Sequence, residues 1–226
     1  MKRSEINDLL TVAKDIADAN KIVLPPFAYW SPEDWAAKGS ECDEIRDCAL
    51  GWDITDFGTG KFDEVGLTVF TIRNGDKDAP RYNHKTYCEK LLISQENQIT
   101  PYHFHWFKVE DIINKAGGNL MLRLYSSTED EKLDETSDLT VVMDGVRKTL
   151  PAGSTVTLTA GESITLPAYL YHEFWAEEGT GTAVVGEVSK VNDDNTDNCF
   201  LDAPGRFPEI EEDTAPLHYL FNEYPS

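Results

Sequence analysis

Hydrophobic and polar positions fall into two textures along the chain. Ile6, Leu9, Leu10, Ala13, Ile16 and Ala17 recur at helical spacing, so residues 4–19 are expected to form an amphipathic helix with Ser4 as its N-cap. Pro25-Pro26 stops any continuation. Ser31-Pro32-Glu33-Asp34-Trp35 predicts a second helix start, with a capping hydroxyl, proline at the first helical position and acids in the first turn; Gly39 closes it. A further short helix is expected within 41–49. From Gly66 the texture becomes short apolar segments separated by turn residues. Strands are expected at Leu67–Arg73, Tyr87–Ser94, Gln98–Trp106, Val109–Asn114, Leu120–Tyr125, Leu139–Met143, Val146–Leu150, Thr155–Thr159, Ser163–Leu166, Tyr171–Ala176 and Ala183–Val188. Asp144-Gly145 is a tight hairpin signal.

Many short strands at this spacing predict an all-β sandwich or barrel. Residues 1–50 then form a mainly helical N-terminal extension packed outside it, 66–190 the barrel, and 191–226 a C-terminal extension with an acidic run (Glu209–Asp213) and an aromatic end. The polar stretch 126–138 is expected to be a long loop or lid. With no internal repeat and no linker-like segment, one domain over 1–226 is expected.

Composition narrows the class. At 226 residues the chain is long enough to bury a core, and 40% hydrophobic with 27% charged residues is ordinary for a soluble globular protein. No apolar run is long enough to span a bilayer, and the N-terminal segment does not read as a signal peptide. Cys42, Cys48, Cys88 and Cys199 show no paired spacing and are expected to be reduced thiols, which places the protein in the cytoplasm. A formal charge of −21 argues against nucleic acid and membrane partners and favours a neutral or cationic ligand.

Only five histidines occur, and three of them fall in two chemically suggestive places, His103-Phe104-His105 and Pro167-Ala-Tyr-Leu-Tyr-His172. Strand side chains alternate faces, so His103 and His105 point the same way, whereas an i, i+2 pair would diverge on a helix. Glu110 is an odd number of residues from His105, so a turn or bulge near Trp106-Phe107 must re-aim it. Lys108, Glu110 and Ile112 then share a face. Three neutral imidazoles and a carboxylate suit a divalent transition metal with positions open to substrate or water. His84 and His218 read as structural or surface residues.

These residues resemble the two cupin motifs, the first as His103-x-His105-x4-Glu110-x6-Gly117 and the second as Gly161-x5-Pro167-x-Tyr169-x2-His172. Tyr169 stands where that family usually has glycine, and Ala176 where it usually has asparagine. The resemblance implies a double-stranded β-helix (jelly roll) barrel with the metal inside its mouth. More of the chain is similar to the D-lyxose isomerase family of cupins, through Glu89-Lys90-Leu-Leu, His103-x-His105-x2-Lys108-x-Glu110-Asp-Ile-Ile113 and Gly117-Gly118. That resemblance implies a homodimeric, manganese-dependent aldose–ketose isomerase acting on D-lyxose and D-mannose to give D-xylulose and D-fructose. Zinc, iron and cobalt remain alternative metals.

Such chemistry needs a group that moves a proton next to a carbonyl. Glu187, in Val185-Gly-Glu187-Val188, is the first candidate. Lys108 and Lys90 are candidates for steadying an oxyanion or binding sugar hydroxyls, and Asp194 and Arg206 are candidate sugar ligands at the barrel rim. Trp106, Phe107, Tyr171, Phe174 and Trp175 are candidate walls of the sugar site. A metal-dependent oxygenase on the same barrel and a non-catalytic sugar-binding module are the alternatives. A phosphosugar isomerase would need an Arg and Lys cluster that this acidic chain does not display.

Overall fold

The computed structural model describes residues 1–191, 193, 196–202, 205 and 208–225. Three helices open the chain, α1 (Arg3–Ala19), α2 (Pro32–Ala36) and α3 (Asp43–Asp47). The strands that follow are β1 (Gly51–Thr55), β2 (Leu67–Arg73), β3 (Tyr87–Ser94), β4 (Thr100–Phe104), β5 (Glu110–Gly117), β6 (Leu120–Ser127), β7 (Leu133–Asp134), β8 (Leu139–Met143), β9 (Val146–Leu150), β10 (Thr155–Leu158), β11 (Ser163–Leu166), β12 (Leu170–Ala176), β13 (Ala183–Lys190) and β14 (Cys199–Phe200).

They assemble into two antiparallel sheets. One runs β1-β2-β3-β13-β5-β11-β8-β9, the other β10-β6-β12-β4-β14 with β7 beside β6. Leu120, Leu122, Leu124, Ile112, Ile164 and Leu166 fill the space between the sheets, each almost wholly buried. This is the all-β barrel that the succession of short strands predicts, in the two-sheet form that the resemblance to the cupin motifs implies. A second core lies on the outer face of the larger sheet, where Ile6, Leu10, Ala13 and Ala17 of α1 meet Trp52, Ile54, Phe70 and Leu91. The β1-β2-β3 region is therefore buried on both faces, so Asp53 and Thr55 of β1 are buried although Trp52-Asp53-Ile54-Thr55 alternates as a half-exposed strand would. Both β1 and β14 lie outside the 66–190 span expected for the barrel.

Local rules account for several boundaries. Ser31 accepts from the Asp34 N–H at 3.2 Å, and Asp34 accepts from the Ser31 N–H at 2.9 Å, a reciprocal cap on α2. Ser4 is not the cap of α1, which starts one residue before it. Its N–H and hydroxyl instead donate to Asp213 at 2.9 and 2.7 Å, because the C-terminal segment lies alongside and offers a stronger acceptor. Asp144 and Gly145, at φ 48° and 79°, form the expected tight turn between β8 and β9. Gly117 needs to be glycine twice over: its φ is +81°, and a Cβ there would lie 2.1 Å from the Thr182 carbonyl oxygen. All four cysteines are free, and no helix among the described residues is long and apolar enough to cross a membrane.

Candidate metal centre and active site

The site lies between the sheets, with its imidazoles supplied by one and its carboxylates and lysines by the other. His103 on β4 pairs in register with His172 on β12, and their ring centroids are 4.1 Å apart. His105 follows the end of β4 on the same face, as strand parity requires. The imidazole ligand atoms of His103, His105 and His172 all lie within 4.8 Å of one another. Each ring has its Nδ1 held by a main-chain carbonyl: His103 by Pro101 at 2.8 Å, His172 by Leu170 at 3.0 Å and His105 by Asp197 at 2.8 Å. Held in this way, each ring presents Nε2 as the free ligand atom.

Between β4 and β5 the chain bends at Trp106-Phe107 and re-aims Glu110 into the same space. Glu110 Oε1 approaches Nε2 of His172 at 3.2 Å and of His105 at 3.4 Å. Neither Glu110 Oε1 nor His105 Nε2 makes a hydrogen bond among the described residues, although both are buried. Buried polar atoms left this way are costly. Ligands around a single ion at roughly 2.0–2.2 Å sit about 3 Å apart, so this donor set fits a divalent cation. Burial, together with the neighbouring His172 and His105, holds the His103 pKa well below the usual imidazole range, leaving it neutral and ready to ligate. For Glu110, burial pushes the carboxyl pKa up, but the Lys108 charge and the adjacent imidazoles outweigh it and hold the pKa well below the usual range.

Lys108 is almost fully buried, and its ammonium bridges two carboxylates, Glu110 Oε2 at 2.7 Å and Glu187 Oε1 at 2.9 Å. Glu187 sits on β13 opposite Lys90 of β3 and Ile112 of β5. Lys90 Nζ is 4.0 Å from Glu187 Oε1, and the Ser189 hydroxyl donates to the same oxygen at 3.2 Å. Seven of the nine residues singled out from the sequence thus converge: His103, His105, His172, Glu110, Lys108, Glu187 and Lys90. Asp194 and Arg206 lie outside the described residues.

Of the aromatic candidates, Phe174 lines the cavity over the histidines. Tyr171 and Trp175 are on the opposite face of β12, as alternation demands. Tyr171 packs on Phe104 and donates to the Glu131 carbonyl at 2.7 Å, while Trp175 meets Arg123. Trp106 and Phe107 lie in the turn and face away from that cavity, Trp106 donating to Glu131 at 2.7 Å. The cavity wall that sequence reasoning missed includes Thr55, Phe57, Asn198 and Phe200. Phe200 lies against His103 and Phe57, with centroid separations of 5.3 and 5.7 Å. Ser189 was findable, since it shares a strand face with Glu187. Asp197, Asn198 and Phe200 carried no sequence signal. Tyr169 adopts the left-handed φ of +61° that explains a glycine preference at its position. Its N–H donates to the His105 carbonyl at 2.9 Å, and its ring packs against Phe104.

A family model described as D-lyxose isomerase matches residues 1–224. The chain belongs to the D-lyxose isomerase family. It is 47% identical over 225 residues to the D-lyxose/D-mannose isomerase of Escherichia coli O157:H7, covering 99% of this chain and 98% of that one. It is 46% identical, with the same coverage, to the D-lyxose/D-mannose isomerase of Serratia proteamaculans. Among solved structures it is similar to the L-ribose isomerase of Cellulomonas parahominis, at TM-score 0.61 and 19% identity, covering 93% of this chain and 98% of that one. At that identity the likeness speaks for the barrel alone. Of the D-lyxose isomerase motif residues quoted from the sequence, Lys90, Leu92, His103, His105, Lys108, Glu110 and Ile112 line the cavity between the two sheets, while Glu89, Gly117 and Gly118 do not.

Proposed function

We propose that this member of the D-lyxose isomerase family is a metal-dependent aldose–ketose isomerase interconverting D-lyxose with D-xylulose and D-mannose with D-fructose. The observation that supports this most is the pairing of a buried cation-shaped donor set with Glu187, tethered through Lys108 to Glu110. His103, His105, His172 and Glu110 would hold the ion, with manganese as the first expectation and zinc, iron or cobalt as alternatives. A bound divalent cation would act as a Lewis acid, polarising the sugar carbonyl and favouring negative charge on the sugar oxygens.

The chain's own residues then move the proton. Glu187 takes the proton from C2 of the aldose as the C2–H electron pair forms the C1=C2 bond and the C1=O π pair moves onto O1, which takes up the proton that the C2 hydroxyl gives up. Return of the carbon-bound proton from Glu187 to C1, as the C1=C2 pair forms the new C1–H bond and C2–O becomes the carbonyl, gives the ketose. Lys108 and Ser189 fix Glu187 Oε1, so the carboxylate is oriented before substrate arrives. Lys90 stands beside it as a second cation for sugar oxygens. Phe174, Phe57 and Phe200 exclude water from the carbon being deprotonated. Asp194 and Arg206 remain candidate hydroxyl ligands at the rim.

One assay tests the reading. The protein is stripped with a chelator, manganese is restored, and ketose formation from D-lyxose, D-mannose and D-xylose is followed. Turnover that disappears with the metal and returns with it supports the proposal, whereas no turnover of any pentose or hexose rejects it. The proposal extends to a single domain over 1–226, a cytoplasmic location and a homodimer, the last checked by sedimentation.

A further inference from the structure

The three imidazoles are not oriented by equivalent means. His103 and His172 are each held by a carbonyl two residues back in the chain, Pro101 and Leu170, so a strand that forms brings its own brace. His105 lies one residue beyond the end of β4 and has no such local brace. Its Nδ1 is held instead by the carbonyl of Asp197, 92 residues away.

The Asp197 side chain grips the same turn from the other end. Oδ1 accepts the Phe107 N–H at 2.8 Å, and Oδ2 accepts the Lys108 N–H at 2.8 Å. These N–H groups belong to the bend between β4 and β5, where no ladder partner is available to them. A carboxylate that receives two main-chain donors is a strong and directional clamp. The turn it fixes carries His105 at one end, and Lys108, with the Glu110 and Glu187 it bridges, at the other.

We infer that Asp197 is a positioning residue for the metal centre. Its carboxylate locks the 105–108 turn, and the same lock holds its own carbonyl against His105. The C-terminal segment around β14 thereby becomes part of the centre without contributing a ligand. The inference rests on the metal reading above, and its test is cation binding by the full-length protein, with no sugar present.

Chelator-stripped protein is titrated calorimetrically with Mn²⁺, and with Co²⁺ to follow the visible absorption that reports coordination geometry. Removal of an outer brace on a metal-ligating histidine lowers affinity about 10–100-fold. D197A is expected to show a loss of that size and an altered Co²⁺ spectrum. D197N, whose amide offers one acceptor oxygen to two donors, falls between D197A and the parent. A merely structural role would lower the thermal midpoint of the stripped protein and leave the cation affinity and the Co²⁺ spectrum as they were; that result overturns the inference. If D197A loses its near-UV circular dichroism, D197N decides alone: weakened binding supports the inference and unchanged binding overturns it. Should the parent protein bind neither cation, the metal reading itself fails, a result separable from failure of the Asp197 inference.

Discussion

Lys108 is the residue on which most of the site's electrostatics converge. It is 2% exposed and sits between two carboxylates that are themselves buried. A buried ion pair is not automatically stabilising, but removing one partner strands the others. Lys108→Met removes the ammonium that bridges Glu110 and Glu187, leaving Glu187 with Lys90 at 4.0 Å, and is expected to destabilise the metal-free protein by about 3 kcal/mol in chemical denaturation. Glu187→Gln has a different signature. It keeps an acceptor for Lys108, and none of its described contacts reaches an imidazole. Thermal stability and cation content should stay near parental values, while kcat falls by roughly 10²–10⁴ with little change in KM, as expected for loss of a proton-transfer group. A Glu187→Gln enzyme that kept its kcat would move the proton transfer to another residue.

At the scale of elements, α1 is tied to the chain's end by a titratable contact. Lys14 Nζ donates to His218 Nε2 at 2.7 Å, and His218 Nδ1 donates to the Trp30 carbonyl at 2.9 Å. This arrangement requires a neutral ring with its proton on Nδ1. Burial first, and then the Lys14 charge, lower the His218 pKa; the Trp30 carbonyl and Asp34 oppose them. A depressed folded-state pKa means the unfolded chain takes up the proton more readily. Stability is therefore present above the ordinary histidine pKa of about 6.5 and is lost as pH falls below it. The thermal midpoint should drop between about pH 7 and 5.5, and the drop should be shallower in His218→Gln. Equal slopes in the two proteins would remove His218 from the explanation. Carboxylates such as Asp134, held down by its bonds to Ser137 and Thr136, act only at lower pH.

Over the whole molecule, the two ends of the chain close on each other. Met1 and Arg3 exchange main-chain hydrogen bonds with Glu209 and Glu211, and the buried Arg3 guanidinium bonds to both Glu212 and Glu223. These links span more than two hundred residues and hold α1 and the C-terminal segment against the outer face of the larger sheet. Arg3→Met should cost about 2 kcal/mol, hence a fall of roughly 4–8 °C in the thermal midpoint. Because the guanidinium is shielded from solvent, the loss should persist at high salt, where an exposed pair would be screened. A change within error would reduce the clasp to a passive contact.

The chain's local order was enough to name an all-β sandwich or barrel and to single out His103, His105, Glu110 and His172 as candidate ligands. Strand alternation put His103 and His105 on one face, the odd spacing to Glu110 demanded the bend at Trp106-Phe107, and the apolar stripe of α1 declared a helix with something to cover. These are properties of neighbours in sequence, and the backbone's periods of 2 and 3.6 residues express them directly. What lay beyond reach depended on segments meeting from far apart. The Lys108 bridge from Glu110 to Glu187, the brace from Asp197 to His105 and the Phe200 wall each join segments dozens of residues apart. Ser4 lost its expected capping role to Asp213 for the same reason. No periodicity records such contacts, since they arise only when two sheets close over one core and bring distant polar groups into a space that excludes water.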